Sequence, residues 1–347
     1  GAEAFVSEHP WAKEVRLALN VEARGTSGPA QMFETGAGNG LIVREWAAAV
    51  PHPTGSSLTY EVYKRMPNDT DFSVFKRLNL TGLNFAFVGN WEAYHTPLDS
   101  VSNLDRGSLQ HHGLAALALV RRFGALDLAT IRDRDAIYFG IPIIGMAVRY
   151  SSFWAWPLAA GALLLWLWIT IRARRAHHTS IGGLILAFLV FVILAGAAGF
   201  WGFRFSRVVD RVHHGWLPAG NVLTSGPYAG ALVASVATVW LALYVLLRKK
   251  FKPHTLALGV AGVSAVLTAV ATQAIAGGSY VLLWPVAGSV LAAAVLPEAS
   301  GTRAAYAART LLVCALGLPA VLILWPLAAD LFATLGVSPE GGAAMAA

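Results

Sequence analysis

Long charge-free apolar stretches dominate the chain after residue 149, whereas the earlier part alternates short apolar runs with polar ones. A helix that crosses a bilayer needs about 20 mostly apolar residues. The stretches that meet this length are residues 150–171, 179–203, about 228–247, two halves of 253–297 separated by a turn at Gly277, Gly278 and Ser279, and 310–329. The pattern therefore predicts an all-α bundle of about six transmembrane helices within residues 134–347.

The first part of the chain has the pattern of an α/β domain. Residues 14–25 and 30–35 contain strand-like apolar runs, and residues 83–89 have the pattern of a buried strand. Residues 40–50 and 108–123 follow a helical period. Strands that alternate with helices predict a sheet covered by helices, with ligands at the carboxyl ends of its strands. We expect this domain to occupy residues 1–133.

Composition and charge separate the same two parts. The chain is 56% hydrophobic and only 13% charged, a balance typical of membrane proteins rather than soluble domains. Residues 1–135 hold 28 of the 45 charged residues and have a net charge of −2, whereas the rest carries +9. Because the basic residues lie between apolar stretches, the lipid bilayer is the expected partner and nucleic acid is not. The sequence leaves the oligomeric state open.

The distribution of basic residues predicts the orientation in the membrane. Cytoplasmic loops carry an excess of Lys and Arg. If the first span runs inward, the cytoplasmic loops hold nine such residues and the opposite loops three. The N-terminal domain is thus expected outside the cytoplasm, in a periplasm, a lumen or the exterior. The segment RFSRVVDRVHHG (204–215) is basic on the outer side, and we interpret it as an interfacial amphipathic helix.

Two polar residues at strand ends are candidate metal ligands. Glu22 ends the first strand-like run, and His95 follows the buried strand in the stretch NWEAYHTPLDSVSNLD. A carboxylate and an imidazole could converge on a zinc ion. The alternatives are a loop histidine with ordinary hydrogen bonds and a Glu22 that pairs with Arg24. Taken from the residues alone, two candidates do not make a metal site. The single cysteine, Cys314, offers no Cys-based zinc site.

Three segments together resemble a known family: NVEARGTSGPAQMFETG, PNDTDFSVF and YHTPLDSVSNLDRGSLQHHG. In order and spacing they are similar to the second half of the di-zinc aminopeptidases, in the membrane-bound branch that includes endoplasmic-reticulum metallopeptidase and the fungal vacuolar membrane protease. The resemblance covers about residues 5–125. It implies part of a phosphorylase/hydrolase-like aminopeptidase sheet sandwiched by helices, and the membrane-bound members also have a multi-span tail.

The resemblance also implies residue roles. Glu22 and His95 would be metal ligands, with two zinc ions in the complete protein. Tyr94 would donate a hydrogen bond to the oxyanion formed from a peptide substrate. Asp71 matches an acidic position near the substrate pocket, although it could equally begin a helix, and Asp99 would orient the His95 loop.

Departures from the family limit what this chain is expected to do. The family has, upstream, a His-x-Asp ligand, a bridging aspartate and a Glu-Glu pair, and Glu3, Glu8 and His9 do not fit these motifs. We therefore expect a fragment of a membrane-anchored zinc-dependent exopeptidase that is inactive by itself. The alternative is a non-catalytic membrane protein whose degenerate peptidase domain acts in binding or transport. A glutaminyl-cyclase-like activity is a remoter option.

Overall fold

The computed structural model describes residues 1–212, 225–295 and 302–335. Contacts divide the chain into two compact units. The first contains Gly1–Pro157 together with Ala271–Tyr280, and the second contains the remaining membrane part. The predicted division into domains after residue 133 stays a prediction, and the first compact unit itself continues to Pro157.

A four-stranded sheet forms the centre of the first unit. Its strands are β1 (Leu17–Ala23), β2 (Gln31–Thr35), β3 (Thr54–Gly55) and β4 (Thr81–Phe87), in the order β1-β4-β2-β3. Strand β4 pairs in parallel with β1 and antiparallel with β2, and β3 pairs in parallel with β2. The three strands that the sequence predicted are therefore present, and β4 lies inside the sheet with every residue buried.

Helices cover both faces of this sheet, as predicted. They are α1 (Ala2–Glu8), α2 (Gly40–Ala49), α3 (Ser57–Tyr63), α4 (Asp71–Arg77) and α5 (Arg106–Gly124). One face packs against α2 and α5 in a core that includes Trp46, Leu83 and Leu119. Successive strand residues point to opposite faces, and Gly82 accordingly faces Phe72 of α4 on the other side. Both helical runs that the sequence predicted, 40–50 and 108–123, correspond to α2 and α5.

A hairpin that the sequence pattern did not reveal completes the first unit. Strands β5 (Ala136–Ile141) and β6 (Met146–Ser151) pair antiparallel. The Asp135 carboxylate accepts hydrogen bonds from the backbone amides of Gly38 and Asn39 at 2.7 and 2.9 Å, just before α2. In return, the backbone amide of Ala136 donates to the Asn39 side chain at 2.8 Å. These bonds join the hairpin to the sheet domain rather than to the membrane part.

The turn at Gly277 also belongs to the first unit. The Ser57 hydroxyl donates to the carbonyl oxygen of Gly277 at 2.6 Å, and Arg65 donates to the carbonyl oxygen of Ala274 at 3.0 Å. A cation near the last carbonyl groups of a helix is favourable. The ring of Tyr280 stacks on that of Phe139, with centroids 4.5 Å apart. A turn between two apolar helices is thus built into the α/β unit.

Six helices make up the apolar part that the structure describes: α6 (Ala155–Arg175), α7 (Ile181–Val212), α8 (Ser225–Leu247), α9 (Pro253–Ala274), α10 (Tyr280–Ala294) and α11 (Arg303–Leu335). Among the described residues, five are long and apolar enough to cross a bilayer, and α10 is apolar but shorter. The prediction of about six spans is therefore confirmed, and the chain is an integral membrane protein. Residues 204–212 continue α7 instead of beginning a helix of their own, and 213–215 lie outside the described residues.

Packing within the second unit is uneven. Helices α6, α9 and α10 share a core that includes Ile169, Leu258 and Val290. Half of the apolar stretch of α9 is buried, against 11% for α7 and 6% each for α8 and α11. Helices whose apolar side chains are largely uncovered by protein suit contact with lipid tails, which are as apolar as leucine.

The close contact at Gly82 yields a stability prediction. A methyl group there would overlap the carbonyl oxygen of Ala18 and lie 2.7 Å from the ring of Phe72. Overpacking of this kind costs about 1–3 kcal/mol, so Gly82→Ala should lower the thermal unfolding midpoint, measured by tryptophan fluorescence in detergent. The matched control is Gly113→Ala in α5, where no atom lies within 4 Å and alanine favours the helix by about 1 kcal/mol. Equal midpoints for the two variants would contradict this packing.

Candidate metal centre

The carboxyl ends of β1 and β4 meet at one edge of the sheet. In the parallel register Glu22 lies opposite Ala86, and Ala23 lies opposite Phe87, the last residue of β4. Glu22 is half-buried. Parallel neighbours end on the same side, so the chain leaves both strands at this edge.

The two segments that follow these strands are hydrogen-bonded to each other. The amide of Thr26 donates to the carbonyl oxygen of Gly89 at 3.0 Å, and the amide of Gly89 donates to Ser27 at 2.8 Å. Gly25 passes so close that a methyl group on it would overlap the carbonyl oxygen of Gly89. The loop that carries His95 is therefore anchored, at its beginning, to the segment just after Glu22.

The His95 side chain lies on an exposed loop. After β4 the chain forms a short 3₁₀ turn, Trp91–Ala93, and His95 follows with a left-handed backbone (φ 59°), which is uncommon for residues other than glycine. The rings of Tyr94 and His95 stack with centroids 3.8 Å apart. Stacking covers a ring face, whereas the nitrogen lone pairs lie in the ring plane. The imidazole thus keeps the donor direction that a metal ion would use.

The Glu22 carboxylate accepts a hydrogen bond from an asparagine. The Asn20 side-chain amide donates to Glu22 Oε1 at 3.1 Å. Among the ion pairs of the described residues, none joins Glu22 to Arg24. The carboxylate is therefore held by a neutral neighbour on the same strand.

Asp71 and Asp99 lie on the surface. Asp71 is the first residue of α4, directly after the N-cap Thr70, where a negative charge favours the helix. The turn around Asp99 is held by other side chains: Thr96 donates to Ala93 at 2.8 Å, and Asn103 donates to the Leu98 carbonyl at 3.0 Å. The roles in the substrate pocket and in orienting the loop stay predictions.

Glu22 and His95 are residue types that bind zinc, but two ligands are fewer than a catalytic zinc site uses. Carboxylate oxygen and imidazole nitrogen are both common zinc ligands, and catalytic sites use three protein ligands. Within the part of the chain that the structure describes, no group of three or more His, Cys, Asp or Glu residues could hold a metal ion. Glu22 and His95 can therefore supply only part of a donor set.

Comparison with known proteins gives a family match for the first part of the chain. Residues 1–120 match the profile of peptidase family M28. We refer to residues 1–120 as the M28 segment. The resemblance seen in the sequence is thereby confirmed.

Curated relatives extend the similarity beyond the M28 segment. Endoplasmic reticulum metallopeptidase 1 of Homo sapiens is 29% identical over 173 residues, covering 47% of this chain and 19% of the relative. The putative endoplasmic reticulum metallopeptidase 1-B of Caenorhabditis elegans is 35% identical over 185 residues, 51% of this chain and 20% of the relative. The vacuolar membrane protease of Clavispora lusitaniae is 28% identical over 276 residues, 73% of this chain and 26% of the relative.

The chain spans only about a fifth to a quarter of the length of these relatives, 19–26%. No solved structure gives a significant match to the chain.

The M28 segment contains a buried acidic group that sequence reasoning missed. Glu34 on β2 is 1% exposed, and its carboxylate pairs with the Lys76 amine at 2.6 Å. Burial, aided by the Glu34 charge, raises the pKa of both Tyr60 and Tyr63 to about 12, so both stay neutral phenols at pH 7. The available signal was a single charged residue inside the apolar strand run QMFET.

The M28 segment also buries a neutral histidine. His112 on α5 is 5% exposed and packs against the ring of Phe87, with centroids 4.8 Å apart. Burial lowers the pKa of His112 to about 4, and the neighbouring His111 adds to the effect. Its sequence signal was the helical spacing to Ala115 and Leu119, which places it on the buried face.

The lowered pKa of His112 predicts a loss of stability in acid. Between about pH 6.5 and 4 the unfolded chain binds a proton that the folded chain does not, so stability falls as pH falls through this window. Wild type should lose free energy of unfolding between pH 7 and pH 4.5, and His112→Leu should lose about 1–3 kcal/mol less. The comparison uses unfolding midpoints measured at both pH values. The exposed His52, at φ 50°, supplies the control His52→Asn, which should keep the full decline. The prediction fails if His112→Leu declines as steeply as wild type.

Proposed function

We propose that the chain is part of a membrane-anchored, zinc-dependent exopeptidase of the aminopeptidase type, acting on peptides. The observation that carries the proposal is the parallel pairing of β1 and β4. It brings Glu22 and the start of the His95 loop to one edge of an M28 segment. The names of the relatives, metallopeptidase and membrane protease, agree with this activity.

In this proposal Glu22 and His95 hold zinc, which would supply a Lewis acid for the peptide carbonyl. Tyr94 donates a hydrogen bond from its phenol oxygen to the oxyanion that forms from that carbonyl. Its ring stacks on His95, which keeps the phenol and the imidazole as neighbours. Asp71 adjoins the substrate pocket, and Asp99 orients the His95 loop.

The donor set requires residues beyond those described. We propose that the remaining ligands, for two zinc ions in total, and the catalytic glutamate come from another part of a longer protein. The support is that the curated relatives are several times longer than the matched region. The chain by itself is then expected to be inactive.

The α/β unit is proposed to lie outside the cytoplasm. The turn at Gly277 belongs to the same compact unit as residues 1–157, and four helices, α6 to α9, separate the two in sequence. Four crossings return the chain to the side on which it started. The structure of the turn therefore agrees with a membrane crossing by each of these helices.

The basic loops support the same orientation. The Lys252 amine donates to the carbonyl oxygen of His177 at 2.7 Å, and the hydroxyls of Thr255 and Thr179 are 2.9 Å apart. The end of α6 and the loop after α8 thus lie at the same end of the second unit. The last turn of α6 carries Arg172, Arg174 and Arg175, and the loop after α8 carries Arg248, Lys249, Lys250 and Lys252. Basic loops are typical of the cytoplasmic side.

Single substitutions test the site in the protein made from its complete gene, purified in detergent. Glu22→Ala and His95→Ala should each reduce bound zinc, measured by elemental analysis, and abolish hydrolysis of a fluorogenic aminoacyl amide. Tyr94→Phe is the matched variant: it should keep zinc and lower kcat by about 10²–10³, because one oxyanion donor is lost. Full activity in either alanine variant would overturn the assignment.

Cysteine labelling tests the orientation. In a Cys314→Ser background, Ser102→Cys in the exposed His95 loop should react with a membrane-impermeant maleimide added to intact cells or right-side-out vesicles. Lys250→Cys, in the basic loop after α8, should react only after permeabilisation. The opposite pattern would place the α/β unit in the cytoplasm.

A further inference from the structure

We propose that Asn20 is a positioning residue for Glu22 and that its orientation is fixed from two strands away, on the same face of the sheet, by the ion pair between buried Glu34 and half-buried Lys76. This inference rests on the proposed function, because it concerns how the carboxylate of Glu22 is presented to zinc. It is carried by a continuous chain of side-chain hydrogen bonds across β1, β4 and β2.

The chain begins beside the metal centre. Asn20 Nδ2 donates one hydrogen to Glu22 Oε1 at 3.1 Å and the other to Asn84 Oδ1 at 2.9 Å. In the register, Asn20 lies opposite Asn84 on β4, and Asn84 lies opposite Glu34 on β2. These side chains therefore follow one another across a single face of the sheet.

The chain ends at an ion pair between buried Glu34 and half-buried Lys76. Asn84 Nδ2 donates to Glu34 Oε2 at 2.9 Å and to Thr70 Oγ1 at 3.0 Å. Lys76 Nζ donates to the other oxygen, Glu34 Oε1, at 2.6 Å. Asn84 is fully buried and Glu34 is 1% exposed. An unmade hydrogen bond would be costly at these positions, since water cannot replace the partner.

The ion pair sets the direction of every bond in the chain. An ionised carboxylate only accepts hydrogen bonds, so Asn84 must turn its NH₂ group towards Glu34. Its oxygen then faces Asn20, which must turn its own NH₂ group towards Asn84. The second hydrogen of that group points to Glu22. Reversing either amide would bring two acceptors together inside the fold.

This arrangement has two effects on the metal centre. Asn20 donates to Oε1 of Glu22 and thereby restrains the orientation of the carboxylate. Glu34 is kept from competing as a ligand, because Lys76 and Asn84 hold both of its oxygens. Partners that orient metal ligands typically change metal affinity by 10- to 100-fold when removed.

The test measures the zinc dissociation constant of the complete protein in detergent, by competition with a chelating dye. Asn20→Leu, which keeps the size and removes the donor, should raise the constant about 10- to 100-fold. The double variant Glu34→Gln/Lys76→Met removes the ion pair without changing the net charge and releases the amide orientation. It should also weaken zinc binding, by roughly tenfold, and alter the absorption spectrum of the cobalt-substituted protein.

A second ion pair on the same helix supplies the matched control. Arg77, next to Lys76, pairs with Glu3 on the surface at 2.7 Å. The variant Glu3→Gln/Arg77→Met makes the same chemical change outside the hydrogen-bond chain, and zinc binding should stay at the wild-type value. If Asn20→Leu fails to fold, the zinc affinity of Glu34→Gln/Lys76→Met tests the positioning role by itself, because its substitutions do not touch Glu22.

The outcomes separate this inference from the proposed function. If Glu22→Ala loses zinc while Asn20→Leu and Glu34→Gln/Lys76→Met bind it as wild type does, the positioning role is wrong and the metal site stands. If wild type binds no zinc, or Glu22→Ala binds it normally, the proposed function is wrong and the positioning role falls with it.

Discussion

The parallel ladder between β1 and β4 is the interaction on which the candidate site depends. Seven consecutive residue pairs join these strands, although 64 positions separate the partners in sequence. Long-range parallel pairing needs an intervening crossover, which here includes α2, α3, α4 and the antiparallel strand β2. The hydrogen bonds between the segments after the two strands extend the pairing into the loops. Glu22 and the start of the His95 loop lie at the same edge of the sheet because of this register.

The strands of this ladder could be predicted from the sequence, whereas the metal site at their ends stays a prediction. Glu22 and His95 both follow apolar runs of strand length, and side chains at the ends of parallel strands share an edge. Their separation in space and the remaining ligands are not encoded in such a pattern. The polar residues Asn20, Asn84 and Glu34 lie inside strands. A search for apolar runs predicts the strands but assigns these residues no role. Their mutual hydrogen bonds arise only once three strands are side by side.

The β5–β6 hairpin could not be predicted from the hydrophobic pattern for a different reason. The hairpin β5–β6 directly precedes a long apolar stretch, and its residues are themselves mostly apolar. An apolar run has the same composition in a buried strand and in a bilayer. The hairpin is assigned to the sheet domain by its contacts, such as the bonds from the amide of Ala136 to Asn39 and from the amide of Tyr138 to Ser57. The lengths of the apolar stretches did locate the membrane helices, because bilayer thickness imposes a minimum length.

The turn at Gly277 has a consequence for how such a protein can be divided. Tyr280 and Gly277 contribute an aromatic ring and a carbonyl group to a unit whose N-terminal part ends at Pro157. Cleavage of the backbone after that proline would release a fragment with an uncovered Phe139 ring and an Arg65 deprived of its acceptor at Ala274. Release of residues 1–157 as an intact domain is therefore disfavoured by the architecture itself.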